Sequence, residues 1–359
     1  MTSPGTSVVA PAPFPRSVIV LIGVAAFVVM AIGIRGAAGI VAPTMLSLIL
    51  TLAVVPIGAA ARRHGWPGWL ATLTALVSAY AILLVLLVGT FVCLIKLANL
   101  LPQYASNFDD LTKKVEKWMS SNGLGNESTS DILKKINPDQ IVDVVTGVVS
   151  SILGAAGGVF FLVTVMFFFV VAVPGFTARI TALRRLKPEL TSALGLFVTR
   201  TQRYLVITAL FGGIVAVLDT AALWLLGVPL ALVWGFFSFI TNFIPNIGFI
   251  IGVIPPALVA LLDSGGQKML LVILVYCVLN VTIQTFIQPR FVGATVGLSA
   301  EMTFMSLVVW TFLLGALGAL LAVPMTLLLR ALFLDSDKRT AWVAPLIDTS
   351  AEDESQNTS

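Results

Sequence analysis

Asp219 stands between Leu218 and Thr220, about two thirds of the way through the apolar run from Arg203 to Gly227. An ionisable group at the bilayer centre costs about 2.5–3.5 kcal/mol on insertion scales, so it needs a partner or a task there. A carboxyl at that depth can hold and release a proton, which makes Asp219 the candidate for proton or ion coupling. The bland alternative is an acid near the outer interface, or one hydrogen-bonded to a neighbouring helix. A second polar set is Asn280, Gln284 and Gln288, spaced four apart in an otherwise apolar stretch, so that they stack on one helical face. That stripe can line a path, or it can supply interhelical hydrogen bonds worth about 1–2 kcal/mol each. A third set, Thr241, Asn242 and Asn246, flanks Pro245 and Gly248. Asn242, Pro245, Asn246, Gly248, Asn280 and Gln284 are therefore the candidate lining of a substrate path.

Little else in the chain suggests chemistry. The single His64 lies in a basic loop with no Cys or carboxylate cluster beside it. The two cysteines, Cys93 and Cys277, sit in apolar runs and read as small buried hydrophobes. No nucleophile constellation, Gly-rich phosphate loop or nucleotide motif is present. The expectation is a protein that is not an enzyme, with no cofactor and no metal. Lys96 reads as a snorkelling residue, Glu301 as a solvated acid, and Phe160, Phe161, Phe167, Phe168 and Phe169 as lipid-facing or packing surface.

The elements that must position these residues are helices in a membrane. The 359 residues are 58% hydrophobic and 11% charged, less than half the charge of a soluble domain, so most of the chain cannot face water. Backbone polar groups need partners in lipid, so helix is the default for every span. A core about 30 Å thick takes about 20 apolar residues. Spans are expected near 17–35, 37–60, 68–99, 145–173, 204–226 and 268–288. The expected fold class is an all-α integral membrane protein with about six full transmembrane helices, two Gly/Pro-broken helical hairpins, and eight or more membrane segments in all.

The organisation follows from composition. Residues 1–15 form a Pro/Ser/Thr/Ala tail expected to be disordered, and 16–100 hold the first spans. Residues 101–143 are polar and amphipathic, with nearly balanced charge. A span at 144–175 is followed by the basic segment 176–203, in which Arg179, Arg184, Arg185, Lys187, Arg200 and Arg203 oppose only Glu189. Residues 204–334 carry the broken helices, and 335–359 form a tail.

The positive-inside rule places Arg62, Arg63, the 179–203 cations, Arg290, Arg330, Lys338 and Arg339 on one side if 228–262 enters and leaves by the same face. That side is the cytoplasm. Both termini are then inside and 101–143 outside, with Arg35 on the minority side. The net charge of +4 thus reflects loop orientation and not nucleic acid.

In 228–262, two apolar arms meet at Pro245-Asn246-Ile247-Gly248. Each arm has about 15 residues, or roughly 22 Å of helix, short for a full span. Pro245 removes a donor and Gly248 permits a turn. A hairpin of this kind leaves free backbone groups inside the bilayer, which are tolerated only against protein or a water-filled cavity. Transporters often build substrate sites from such broken helices. The second stretch, 300–334, contains Gly315, Gly318 and Pro324, which read equally as close helix packing or as a hinge.

Three pieces of 204–334 carry a resemblance. One is Leu226-Gly227-Val228-Pro229-Leu230-Ala231, followed by Phe243-Ile244-Pro245-Asn246-Ile247-Gly248 and Ile254-Pro255. The second is Gln288-Pro289-Arg290-Phe291-Val292-Gly293, followed by Gly297-Leu298-Ser299. The third runs from Gly315 to Pro324. In this order and spacing they resemble the AI-2E family of transporters, also called the autoinducer-2 exporter or PerM-like permease family. The chain departs from that pattern at Gly248-Phe249 and at Leu298-Ser299-Ala300, where the family often has Gly-Pro and Leu-Ser-Pro.

The resemblance implies a homo-oligomeric permease of a bacterial inner membrane. Some relatives look like exporters of the furanosyl quorum-sensing signal autoinducer-2, others like sodium/proton antiporters. The expected function is gradient-driven export of a small polar solute by alternating access, with the lipid bilayer, the solute and H+ or Na+ as partners. A cation antiporter and a non-transporting scaffold are the alternatives.

Overall fold

The structure is a computed structural model that describes residues 16–100, 147, 156–245, 247–288 and 297–336. The two tails, most of the polar 101–143 segment's surroundings and that segment itself, Asn246 and the Pro289–Gly293 motif lie outside the described residues. The described residues are helical, in ten segments. These are α1 (Arg16–Gly36), α2 (Ala38–Arg63), α3 (Gly68–Leu100), α4 (Ala156–Leu183), α5 (Pro188–Leu225), α6 (Ala231–Thr241), α7 (Gly248–Ser264), α8 (Gly266–Val281), α9 (Ala300–Leu314) and α10 (Ala316–Phe333). A π-helical turn, Thr282–Ile287, continues α8.

Among the described residues, six helices are long and apolar enough to cross a bilayer: Ala38–Arg63, Gly68–Leu97, Gly157–Leu183, Pro188–Leu225, Gly266–Gln284 and Ala316–Phe333. Five correspond to expected spans; the sixth, α10, is expected as an arm of the second broken stretch, and the expected first span 17–35, α1, is not among the six. The expected fourth span ends later, at Leu183 in place of 173. The fifth starts at Pro188, so the basic stretch is not a separate segment between spans. It is the end of α4, a turn at 184–187, and the start of α5. At 38 residues, α5 is about 57 Å long and must protrude from a 30 Å core.

Prolines do not break these helices. Pro43 and Pro56 lie inside α2, Pro174 inside α4, Pro255 and Pro256 inside α7, and Pro324 inside α10. Pro56 deprives the Leu52 carbonyl of its helical donor. Gln202 of α5 donates to that carbonyl at 3.0 Å, so the lost bond becomes an interhelical tie.

Three apolar cores hold the bundle. Val54, Ala79 and Met166 join α2, α3 and α4. Phe197, Leu307, Trp310, Leu321 and Leu327 join α5, α9 and α10, with α2 against them. Leu223, Trp234, Ala260, Val272 and Tyr276 join α5 to α6, α7 and α8. Phe160, Phe167 and Phe168 are exposed on α4, as expected of lipid-facing rings.

Both broken stretches are helical hairpins. α6 has 11 residues and α7 has 17, about 16 and 26 Å, so neither the first arm nor its turn fills a bilayer. The two ends of this hairpin meet at one end of the molecule. There the Lys268 ammonium lies 3.3 Å from the Gly227 carbonyl and 3.3 Å from the Asp263 carboxylate. The second hairpin, α9 and α10, opens at the opposite, basic end. Arg330 near the end of α10 donates to the Gly297 carbonyl just before α9. Asp335 accepts from Arg330 at 3.4 Å and from Arg200 of α5 at 3.5 Å. The two hairpins therefore insert from opposite ends.

Candidate functional site

The site begins with glycines that let helices approach. Gly235 of α6 faces α5, where an added Cβ would fall 2.9 Å from the Ala216 carbonyl and overlap the Thr220 hydroxyl. On α7, a Cβ at Gly252 would fall 2.9 Å from the Thr241 hydroxyl, and one at Gly248 would overlap the Thr241 carbonyl. The hairpin thus folds tightly on itself and lies flat against α5. Pro245 is in its turn, and Gly248 opens the returning arm. The turn is tied down from α5 by Tyr204, whose hydroxyl donates to the Phe243 carbonyl at 3.3 Å.

This close approach brings Ser238 of α6 onto Asp219. The Ser238 hydroxyl donates to Asp219 Oδ2 at 2.6 Å, and both residues are buried. From the other side α8 presents its polar stripe. The Asn280 amide donates to the Tyr276 carbonyl at 2.9 Å, and both side chains lie beside the Asp219 carboxyl. Gln284 donates to Asn280 Oδ1 at 3.0 Å and to Asn242 Oδ1 at 2.8 Å. Gln284 sits in the π-helical turn, whose extra width reaims side chains at functional sites. Ile283 of the same turn packs on Phe211 and Val215, fixing α8 against α5.

Polar side chains from α5, the hairpin and α8 therefore form one cluster, with Asp219, Ser238, Tyr276 and Asn280 buried and Asn242 and Gln284 half-buried. Within it Asp219 Oδ1, Asn242 Nδ2 and the Tyr276 hydroxyl have no hydrogen-bond partner among the described residues. Buried polar atoms are nearly always paired, and leaving one unpaired costs about 1–3 kcal/mol. A carboxylate acceptor, an amide donor and a phenol set around one place can take up a water, a proton or a hydroxylated solute.

The structure brings Asp219, Asn242, Asn280 and Gln284 together, with Pro245 and Gly248 shaping the turn beside them. Gly315, Gly318 and Pro324 belong to the other hairpin. Gly315 has φ 68° and makes its tip, a conformation that favours glycine. Gly318 packs on the Trp310 carbonyl, and Pro324 is buried within α10. Sequence reasoning passed over Ser238 and Tyr276. Tyr276 precedes Asn280 by four, so extending the stripe one turn back would have found it. Ser238 carries no such signal.

The sequence pattern of the AI-2E family transporter matches residues 18–337. The chain is 28% identical over 316 residues to the AI-2 transport protein TqsA of Escherichia coli (strain K12), covering 87% of this chain and 90% of that one. It is 30% identical over 340 residues to a putative transport protein of Haemophilus influenzae, covering 91% and 95%. It is 28% identical over 319 residues to the putative transport protein YhhT of Escherichia coli (strain K12), covering 88% and 90%. Helices of spanning length and this match over nearly the whole chain agree: the protein belongs to the AI-2E family and is a multi-pass membrane transporter.

Proposed function

We propose that the protein exports a small polar solute of the autoinducer-2 kind by gradient-driven alternating access, without enzymatic activity. The observation that carries this reading is the cluster of Asp219, Ser238, Asn242, Tyr276, Asn280 and Gln284, largely buried, with unpaired polar atoms on Asp219, Asn242 and Tyr276. Asn242, Asn280 and Gln284 contact the solute, Pro245 and Gly248 shape the turn over it, and Asn246 belongs to the same substrate path. Asp219 takes up and releases the coupling proton or ion. The opposed hairpins move against a scaffold of α2, α3 and α4, with Gly315, Gly318 and Pro324 as the flexing points of the second. Both termini face the cytoplasm of a bacterial inner membrane, in a homo-oligomer. The name of the relative TqsA supports the solute class.

The test is transport of labelled autoinducer-2 by purified protein in liposomes. Wild type is expected to give saturable, gradient-dependent flux that Asp219→Asn and Asn242→Ala abolish. Flux unchanged in both variants would remove these residues from the site. A second reading, cation/proton antiport, draws on the free carboxylate oxygen of Asp219. It predicts sodium-driven proton movement in the same liposomes with no solute added, lost in Asp219→Asn.

A further inference from the structure

Thr201 breaks a habit of this chain. Thr44, Thr51, Thr90, Thr164, Thr199 and Thr220 each donate to the carbonyl four residues back. Thr201 is fully buried inside α5, and its hydroxyl has no partner among the described residues. Its position on the helix is informative. At 100° per residue, Thr201, Thr208, Gly212 and Asp219 fall within about 40° of one another around α5. All four are buried. The face spans 18 residues, about 27 Å, from one turn of the exposed Arg203 at the basic end to the carboxyl. Apolar residues occupy the lipid side: Val206, Leu210, Ile214 and Val217 are exposed.

Polar partners lie along this face, interleaved with the Phe239 ring at Gly212 and with buried Val215. Thr208 bonds the Tyr204 hydroxyl, which reaches the Phe243 carbonyl of the hairpin turn. Gly212 leaves room for Asn242, whose Cβ would lie 3.4 Å from a Cβ placed there. Asn242 carries an unpaired amide, and Asp219 an unpaired oxygen, with Ser238, Tyr276 and Asn280 around it.

We propose that this face of α5 is the proton route by which Asp219 exchanges with the basic end, through Thr201, Tyr204, Thr208 and Asn242 with water between them. It rests on the coupling role of Asp219 and adds the path and the side. A proton hops between the hydroxyls of Thr201, Tyr204 and Thr208 and ordered water, each accepting one proton as it passes one on, while the Asn242 amide orients a water and carries no proton itself. Thr201 is the first positioning residue of the route: its free hydroxyl holds a water that a packed threonine would exclude.

Infrared spectra of the liposome-reconstituted protein test this. The protonated-carboxyl band that disappears in Asp219→Asn identifies Asp219, and its shift after transfer to D2O reports proton exchange. The Thr201→Val/Thr208→Val variant is expected to keep the band and slow its shift several-fold. Thr201→Ser/Thr208→Ser is expected to restore the rate, which a mere packing role of the threonines would not. A shift at the wild-type rate in the valine variant overturns the route. If wild type shows no band that Asp219→Asn removes, the coupling role of Asp219 fails instead.

Discussion

At the scale of single residues, the account turns on how buried polar atoms are satisfied. Ser238 donates to the Asp219 carboxyl at 2.6 Å. Ser238→Ala should cost about 1–3 kcal/mol, because it strips a buried acceptor of its partner. Equilibrium unfolding in mixed micelles would measure the loss. Asp219→Asn in the Ser238→Ala background should recover part of it, since a neutral amide is less costly to bury than an unpaired carboxylate. Gly235 offers a cleaner steric contrast. Gly235→Ala drives a methyl toward the Ala216 carbonyl and the Thr220 hydroxyl and should cost about 1–3 kcal/mol. Gly213→Ala, in the same region with open space around it, should be neutral or slightly stabilising in the same unfolding assay.

Asp219, Asn280 and Gln284 were legible from sequence because polar groups are conspicuous in apolar runs and the last two share a helical face. Ser238 and Gly235 were not. Their roles exist only once α6 lies antiparallel on α5, and a serine or a glycine in a membrane helix has many other uses.

At the scale of elements, glycine and proline act differently from their sequence-level reputation. Pro56, Pro174 and Pro324 stay inside helices, while the turns fall at Gly227, Gly265 and Gly315, all with positive φ. The hairpins were legible as interrupted apolar stretches. Their arm lengths were not, since α6 begins only at Ala231, after the turn residues 226–230, while α7 runs on to Ser264. Gln202→Ala should remove the donor that replaces the one lost at Pro56 and weaken the α2–α5 contact by about 1 kcal/mol. A double-mutant cycle with Pro56→Ala reads it, because the alanine amide restores the helical bond and should make Gln202→Ala nearly harmless.

At the scale of the whole molecule, two hairpins open at opposite ends and both pack on α5 or its partners. The basic end is closed by Asp335, which holds Arg200 of α5 and Arg330 of α10 together. Asp335→Asn should loosen the second hairpin from α5, raising backbone hydrogen exchange in 297–336 while leaving α6 and α7 unchanged. That Arg200 and Arg330 share one end was readable from the cations alone, since the positive-inside rule groups them. The tie through Asp335 was not, since one acid at the end of an apolar stretch looks like any solvated terminus.

The central claim is that α6 and α7 dip into the membrane and return to the side they came from. Single cysteines at Val228, Phe243 and Ser264, in a chain whose Cys93 and Cys277 are replaced by alanine, test it with a membrane-impermeant thiol reagent on oriented vesicles. The account predicts that positions 228 and 264 react from the same side, and that the rate at 243 changes when solute is added. Reaction of 228 and 264 from opposite sides would show two ordinary crossings and contradict it.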